Sequence, residues 1–135
     1  MALAYLLDTN IVIYLRMKRP QAVAQRILAL ESGEAGFSII TLGELRFGIE
    51  KSADPRAGER QLTELTELIP VVGLPESTAA HYGEIRADLE KQGRKIGNND
   101  LWIAAHAKAL GLTLVTNNEK EFKRVRGLTV ENWAK

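Results

Sequence analysis

Four carboxylates, Asp8, Glu44, Asp100 and Glu121, each stand where a short apolar segment gives way to helical spacing, and together they span most of the 135-residue chain. This spacing predicts one acidic pocket assembled from distant segments. Gathered carboxylates raise one another's pKa, so a fold that brings several together needs a cation to make the arrangement favourable. With oxygen donors and no cysteine anywhere in the chain, the expected ion is Mg²⁺, with Mn²⁺ able to substitute, rather than zinc. A cation held this way lowers the pKa of a bound water and polarises a phosphoryl oxygen, which is what hydrolysis of a phosphodiester requires.

Taken singly, each acid also has a structural reading. Asp8 can cap a helix that begins near Asn10. Thr41-Leu42-Gly43-Glu44 fits the S/T-x-x-E capping box, and Asn118 followed by Glu121 is a looser version of it. Asp100 falls in a first helical turn, where the macrodipole favours negative charge. Further candidates surround the acids. Thr9 and Thr116, at two strand ends, can hydrogen-bond a metal-bound water or a phosphate, and Asn10 can orient Asp8, although turn and capping roles serve all three equally. Ser38 shows no base partner in the sequence, which argues against a serine nucleophile. His81 and His106 lie inside helical patterns and read as ordinary helix residues. Arg46, Arg86 and the Lys91 to Lys95 group are candidate phosphate-backbone contacts, although solvated surface is the readier reading of any one of them.

The elements that must position these residues alternate. Tyr5-Leu6-Leu7 reads as a buried strand, Thr9-Asn10 as a turn, and Ile11 to Leu15 as the start of a helix. A helix is expected over Gln21 to Glu31, a strand over Gly36 to Ile39 and a helix over Thr41 to Glu50. Ser52 to Arg60 reads as a loop entering a helix with Leu62, Leu65 and Leu68, followed by a strand over Ile69 to Val72. A long helix follows Pro75 as far as Gln92, Gly93 to Gly97 breaks it, and Asn98 or Asn99 caps the next, which runs to Leu110. Thr113 to Val115, a short helix from Glu119 to Arg124, and Leu128 to Val130 complete the pattern. Such alternation predicts an α/β fold with right-handed crossovers and a mainly parallel sheet covered on both faces. Ligands of such sheets bind beyond the strand carboxyl ends, at a topological switch point, and Asp8 follows a strand directly.

A chain of this length fits one domain that buries roughly 68% of its unfolded surface, so a bound metal is expected to serve function rather than folding. Hydrophobic residues at 45% and charged residues at 26% show no disordered tract or linker, and no internal repeat is present. Absence of cysteine is compatible with a reducing cytosol. The apolar start from Met1 to Leu15 is broken by Asp8 and Asn10, lacks a basic leader and is too short to span a bilayer. A net charge of +1 gives no general pull toward nucleic acid. It conceals local basic groups at Arg16, Lys18 and Arg19, at Lys91, Arg94 and Lys95, and at Lys123, Arg124 and Arg126.

Four segments, in order, carry a resemblance: Leu6-Leu7-Asp8-Thr9-Asn10-Ile11, Thr41-Leu42-Gly43-Glu44-Leu45, Ile96-Gly97-Asn98-Asn99-Asp100-Leu101-Trp102-Ile103-Ala104-Ala105-His106, and Val115-Thr116-Asn117-Asn118-Glu119-Lys120-Glu121-Phe122. They resemble the successive signatures of PIN-domain ribonucleases and, more narrowly, of VapC toxins from type II VapBC toxin-antitoxin pairs. The resemblance runs on to Glu131-Asn132-Trp133 and so covers essentially the whole chain. It implies a PIN-like three-layer sandwich, a central mainly parallel twisted sheet flanked by helices. It implies a Mg²⁺-dependent endoribonuclease in which Asp8 and Asp100 bind the ion directly and Glu44 completes an acidic triad. Many PIN domains carry Asp after the Val-Thr strand end, where this chain has Asn117-Asn118. Two arrangements follow: Glu121 substitutes from one helical turn on, or Asn118 holds a water at the metal. The implied reaction cuts single-stranded or loop RNA to leave 5′-phosphate and 3′-hydroxyl ends.

The partners the resemblance implies are RNA, a VapB-like antitoxin whose helical segment lies in a groove formed partly by the Gln21 to Glu31 and Thr41 to Lys51 helices, and a second copy of the chain. Homodimers, and heterotetramers or larger assemblies with antitoxin, are the expected states, without a membrane and in the cytoplasm. Resemblance to some VapC relatives makes tRNA, the initiator tRNA in particular, a target to test; no residue names the RNA. Three other readings compete: a PIN nuclease of RNA maturation without a toxin role, a metal-free binding module in which every acid is a helix cap, and a receiver-type signalling domain. The last wants paired acids after the first strand and an Asp after the third, whereas Leu7 precedes a single Asp8 and no Asp follows Ile39.

Overall fold

Leu6 and Leu7 set the layering, because successive side chains of a strand point to opposite faces. In the computed structural model, which describes residues 2–17 and 20–134, both are fully buried, Leu7 in one apolar cluster and Leu6 in the other. They belong to strand β1 (Tyr5–Leu7). Along the chain follow α1 (Thr9–Met17), α2 (Gln21–Leu28), β2 (Ala35–Ser38), α3 (Ile39–Glu50), α4 (Pro55–Leu68), β3 (Val71–Val72), α5 (Thr78–Lys91), α6 (Asn98–Leu110), β4 (Thr113–Val115), α7 (Glu119–Phe122) and β5 (Val130–Glu131). Lys18 and Arg19 of the first basic group lie outside the described residues.

The five strands form one sheet in the order β3-β2-β1-β4-β5, with every pairing parallel. The expected mainly parallel, helix-covered sheet is therefore present. One face carries Val12, Val23, Leu45 and Leu65 from α1, α2, α3 and α4, with Trp133; the other carries Leu89, Ile103 and Phe122 from α5, α6 and α7. The β4 residues Leu114 and Val115 divide between the faces as Leu6 and Leu7 do. Gly36 in β2 has no room for a larger residue, since a Cβ there would stand 2.8 Å from Val72 Cγ2 and 3.1 Å from the Pro70 carbonyl. From β1 the chain steps outward to β2 and β3, then crosses back to place β4 on the other side of β1. The strand order thus reverses between β1 and β4, which opens a crevice at their carboxyl ends.

Several boundaries differ from the sequence reading. Helix α2 ends at Leu28 rather than Glu31. Helix α3 starts at Ile39, because Ser38 caps it by accepting the Ile40 amide at 3.0 Å, so the Thr41 to Glu44 box never forms at a terminus. Helix α4 begins inside the expected Ser52 to Arg60 loop: Pro55 occupies its first turn, where a missing N–H costs nothing, and Asp54 accepts the Ala57 amide at 3.2 Å. Gly97, not Asn98 or Asn99, is the N-cap of α6. Helix α7 stops at Phe122, and β5 lies at Val130–Glu131, later than the expected Leu128 to Val130. Among the described residues no helix is long and apolar enough to cross a membrane.

Candidate active site

Leu7 of β1 pairs with Val115 of β4, and the Asp8 amide extends that ladder by donating to the Val115 carbonyl at 2.9 Å. Asp8 and Thr116 therefore leave the two central strands side by side, at the point where the strand order reverses. Asp8 is 4% exposed and Thr116 fully buried. The expected capping role is present, for Asp8 Oδ1 accepts the Ile11 amide at 2.9 Å, while Oδ2 accepts the Thr116 hydroxyl. Thr116 Oγ1 in turn accepts the Asn118 amide at 2.9 Å, which leaves its single proton to Asp8. Burial pushes the Asp8 carboxyl from its ordinary 3.8 up to about 6, against the two hydrogen bonds, and the charges of Asp100 and Glu44 push the same way as burial.

Glu44 reaches this corner from the second turn of α3. Thr9 donates to its Oε1 at 2.6 Å and lies 2.9 Å from Thr41 Oγ1. With the Thr9 proton on Glu44, the fully buried Thr41 is the donor to Thr9. Asp100 stands in the first turn of α6, as expected. Its pKa is raised by burial, then by the charges of Glu121 and Glu44. Glu121, in α7, is held by Asn118, whose Nδ2 donates to Glu121 Oε2 at 2.9 Å. The loose Asn118 to Glu121 box is thus an amide-carboxylate bond rather than a helix cap, and Asn118 makes no side-chain cap. The residues of the two arrangements expected for this corner are thus hydrogen-bonded to each other.

Asp8 therefore feels the charges of Asp100 and Glu44, and Asp100 those of Glu121 and Glu44. Among the described residues, no three His, Cys, Asp or Glu side chains converge as a ready-made ligand set. All donors at the corner are oxygens, and Asp8 retains a free lone-pair direction on each oxygen beyond the hydrogen bond it already accepts.

Other candidates are placed elsewhere or occupied. Asn10 is exposed, and the donors to Asp8 are Thr116 and the Ile11 amide instead. Ser38 does have a histidine neighbour, contrary to the sequence reading: His106 Nδ1 lies 2.9 Å from Ser38 Oγ. Both side chains are fully buried, so no substrate reaches the serine, and the argument against a nucleophile stands on access. His81 is half-buried in α5, its Nδ1 without a hydrogen-bond partner. Arg46 is paired with Glu59 at 2.5 Å. Arg86 donates to Glu90 at 2.7 Å and to the Tyr82 hydroxyl at 2.9 Å. In the last basic group, Lys123 pairs with Glu119 at 3.5 Å and Arg126 with Asp88 at 3.7 Å. Thr41 and the Ser38–His106 pair are the side chains the sequence reading passed over as contributors; Thr41 was absorbed in a capping pattern, and no local signal joins positions 38 and 106.

A separate apolar groove of about 390 Å³ runs between α1, α2 and α4, lined by Leu15, Ala24, Ile27, Leu28, Leu65 and Leu68. Leu28 is 77% exposed and Leu68 52%. Of the two helices expected to form such a groove, α2 contributes; α3 does not, and instead lines an adjoining cleft with α4 that includes Glu44.

The family model of the PIN domain matches residues 5–128. The chain belongs to the PIN-domain family. Within it the chain groups with the VapC ribonucleases. It is 44% identical over 131 residues to Ribonuclease VapC2 of Haemophilus influenzae, covering 97% of this chain and 98% of that protein. It is 41% identical over 132 residues to the tRNA(fMet)-specific endonuclease VapC of Shigella flexneri, covering 98% and 99%. A solved structure of VapBC-1 from nontypeable Haemophilus influenzae superposes with a TM-score of 0.89 at 42% identity, over 100% of both chains. The PIN-like sandwich is thereby established.

Proposed function

We propose that this chain is the toxin of a VapBC pair, an endoribonuclease that hydrolyses RNA phosphodiester bonds with Mg²⁺, and that Asp8, Glu44, Asp100 and Glu121 form its active site. The observation that carries this reading is a buried Asp8, its pKa pushed to about 6, in electrostatic contact with Asp100 and Glu44 at the switch point of the sheet. Such a group is costly unless a cation offsets it. Asp8 and Asp100 would hold the ion directly; Glu44, braced by Thr9, and Glu121, braced by Asn118, would hold its water shell or a second ion. Bound there, Mg²⁺ supplies an activated water and a counter-charge for the phosphoryl oxygens. The chain's own part is orientation. Thr116 and the Ile11 amide fix both oxygens of Asp8, and Thr41 through Thr9 fixes Glu44.

Two features support the partners. An RNA substrate, with tRNA the first to test, follows from the names of the relatives from Haemophilus influenzae and Shigella flexneri. An antitoxin follows from the VapBC-1 complex, and the groove between α1, α2 and α4 has the apolar floor and exposed Leu28 and Leu68 rim that an amphipathic helix fits.

Purified chain incubated with total tRNA and Mg²⁺ is expected to release discrete fragments with 5′-phosphates, and EDTA to stop it. Asp8→Asn and Asp100→Asn are each expected to slow cleavage at least about 100-fold while leaving the circular dichroism unchanged. Undiminished cleavage by either folded variant would overturn the site.

A further inference from the structure

Ser38 and His106 lie outside the acidic cluster, yet they belong to the elements that carry it. Ser38 closes β2 and caps α3, the helix of Glu44, and His106 lies on α6, the helix of Asp100. Helix α3 packs against α6, and the two side chains meet between them with Ser38 Oγ and His106 Nδ1 2.9 Å apart and neither exposed at all.

The proton positions follow from the neighbours. Ser38 Oγ accepts the Ile40 amide at 3.0 Å, so its hydroxyl proton is available to His106 Nδ1. The ring's own proton then sits on Nε2, which is buried with no aligned acceptor. Burial holds the imidazole below its ordinary pKa, only partly opposed by a Gly73 backbone group. A buried neutral ring whose one well-formed hydrogen bond is to Ser38, with only a poorly aligned Gly73 backbone group besides, is costly, and an apolar side chain of similar size would avoid that cost. Histidine here therefore points to a task performed by its other nitrogen.

We propose that His106 is a positioning residue: through Ser38 it fixes the start of α3 against α6 and so sets the gap between Glu44 and Asp100 across which the divalent ion and the RNA phosphate are held. The proposal rests on the function proposed above. It assigns His106 no contact with substrate.

The test is Mn²⁺ binding by calorimetry, together with steady-state RNA cleavage, for His106→Phe, Ser38→Ala, the double variant and His106→Asn. His106→Phe and Ser38→Ala are each expected to weaken Mn²⁺ binding about tenfold and to lower kcat by a similar factor, as loss of a group that orients ligands does. KM for RNA stays within about twofold, because substrate contacts are untouched. The double variant should be no worse than Ser38→Ala alone, because that variant already removes the bond to His106 along with the cap of α3. His106→Asn, whose Oδ1 can accept from Ser38, should stay within about threefold of the parent. Parental Mn²⁺ affinity in folded His106→Phe, or losses that multiply in the double variant, would overturn the proposal. If His106→Phe does not fold, His106→Asn decides: near-parental binding supports the positioning role and a tenfold loss rejects it. If Asp8→Asn and Asp100→Asn also bind Mn²⁺ as the parent does, the reading of the acidic site fails instead, which separates the two claims.

Discussion

Asp8 is in tension with its own fold. A carboxyl whose folded pKa is raised contributes stability below its ordinary value of 3.8 that is lost as pH rises toward about 6. The shift of about 2 units corresponds to about 3 kcal/mol at neutral pH as a ceiling, because at 4% exposure little solvent screening relieves it. Asp100 shifts in the same direction and adds to the effect. Asparagine at position 8 keeps an oxygen for the Ile11 amide and carries no charge, but its amide nitrogen replaces the acceptor of the Thr116 proton, which keeps the gain well below that ceiling. Without divalent ions, Asp8→Asn is expected to gain about 1–2 kcal/mol at pH 7, read as a rise in melting temperature of roughly 5 °C. The gain should shrink as pH falls below 6, where the parent carboxyl takes up its proton. A calorimetric scan at pH 7 showing Asp8→Asn no more stable than the parent would contradict the burial argument. The same variant should be almost inert toward RNA, so stability and activity move in opposite directions at one atom.

Helix starts carry the next scale, and they show what sequence can and cannot locate. Asp54-Pro55 is a strong start signal, an acceptor followed by a residue suited to the first turn, yet the run of polar residues around it reads more readily as loop. Ser38 closes β2, within the strand expected over Gly36 to Ile39, and its hydroxyl also caps α3, so Ile39 belongs to the helix. This shifted the helix start and turned Thr41 from a supposed cap into a buried donor to Thr9. Asp8, Asp100 and Glu121 are marked in the sequence because each follows a strand or lies near a helix start, whereas Glu44 sits in the second turn of α3, where that signal does not reach. The braces of the acids are less marked: Thr9 and Thr116 stand in the same motifs, but the partners of Thr41 and Ser38 lie 32 and 68 residues away in sequence. Asp54→Ala tests the cap of α4, a wall of the apolar groove. Loss of its bond to the Ala57 amide is expected to cost about 1 kcal/mol, seen as a lower urea midpoint at constant m-value. Asp54 also lines the cleft that includes Glu44, so RNA cleavage is measured beside stability, and a loss of catalysis beyond the loss of folded chain would mean that the cap serves the site.

For the whole molecule, alternation of strands and helices was enough to predict a parallel sheet covered on both faces, but not the order of its strands. Periodicity reports which face of a strand is buried, not which strand lies beside it. That order matters most, because only β3-β2-β1-β4-β5 puts the reversal between β1 and β4 and so brings Asp8 against Thr116. The net charge of +1 likewise hides four acids near one sheet end, while several arginines are spent on ion pairs elsewhere. Such concentration makes folding and cation binding linked equilibria: an ion that binds only the folded chain stabilises it by about 2.7 kcal/mol at 100 times its dissociation constant. Mg²⁺ or Mn²⁺ at saturating concentration is therefore expected to raise the melting temperature of the parent by roughly 5–10 °C at pH 7. The rise should be smaller at pH 5, where a carboxyl with a pKa near 6 is mostly protonated and competes with the ion. Asp100→Asn should lose most of it at either pH. An equal rise in the parent and in Asp8→Asn and Asp100→Asn would show that the ions stabilise the chain from somewhere other than the sheet's switch point.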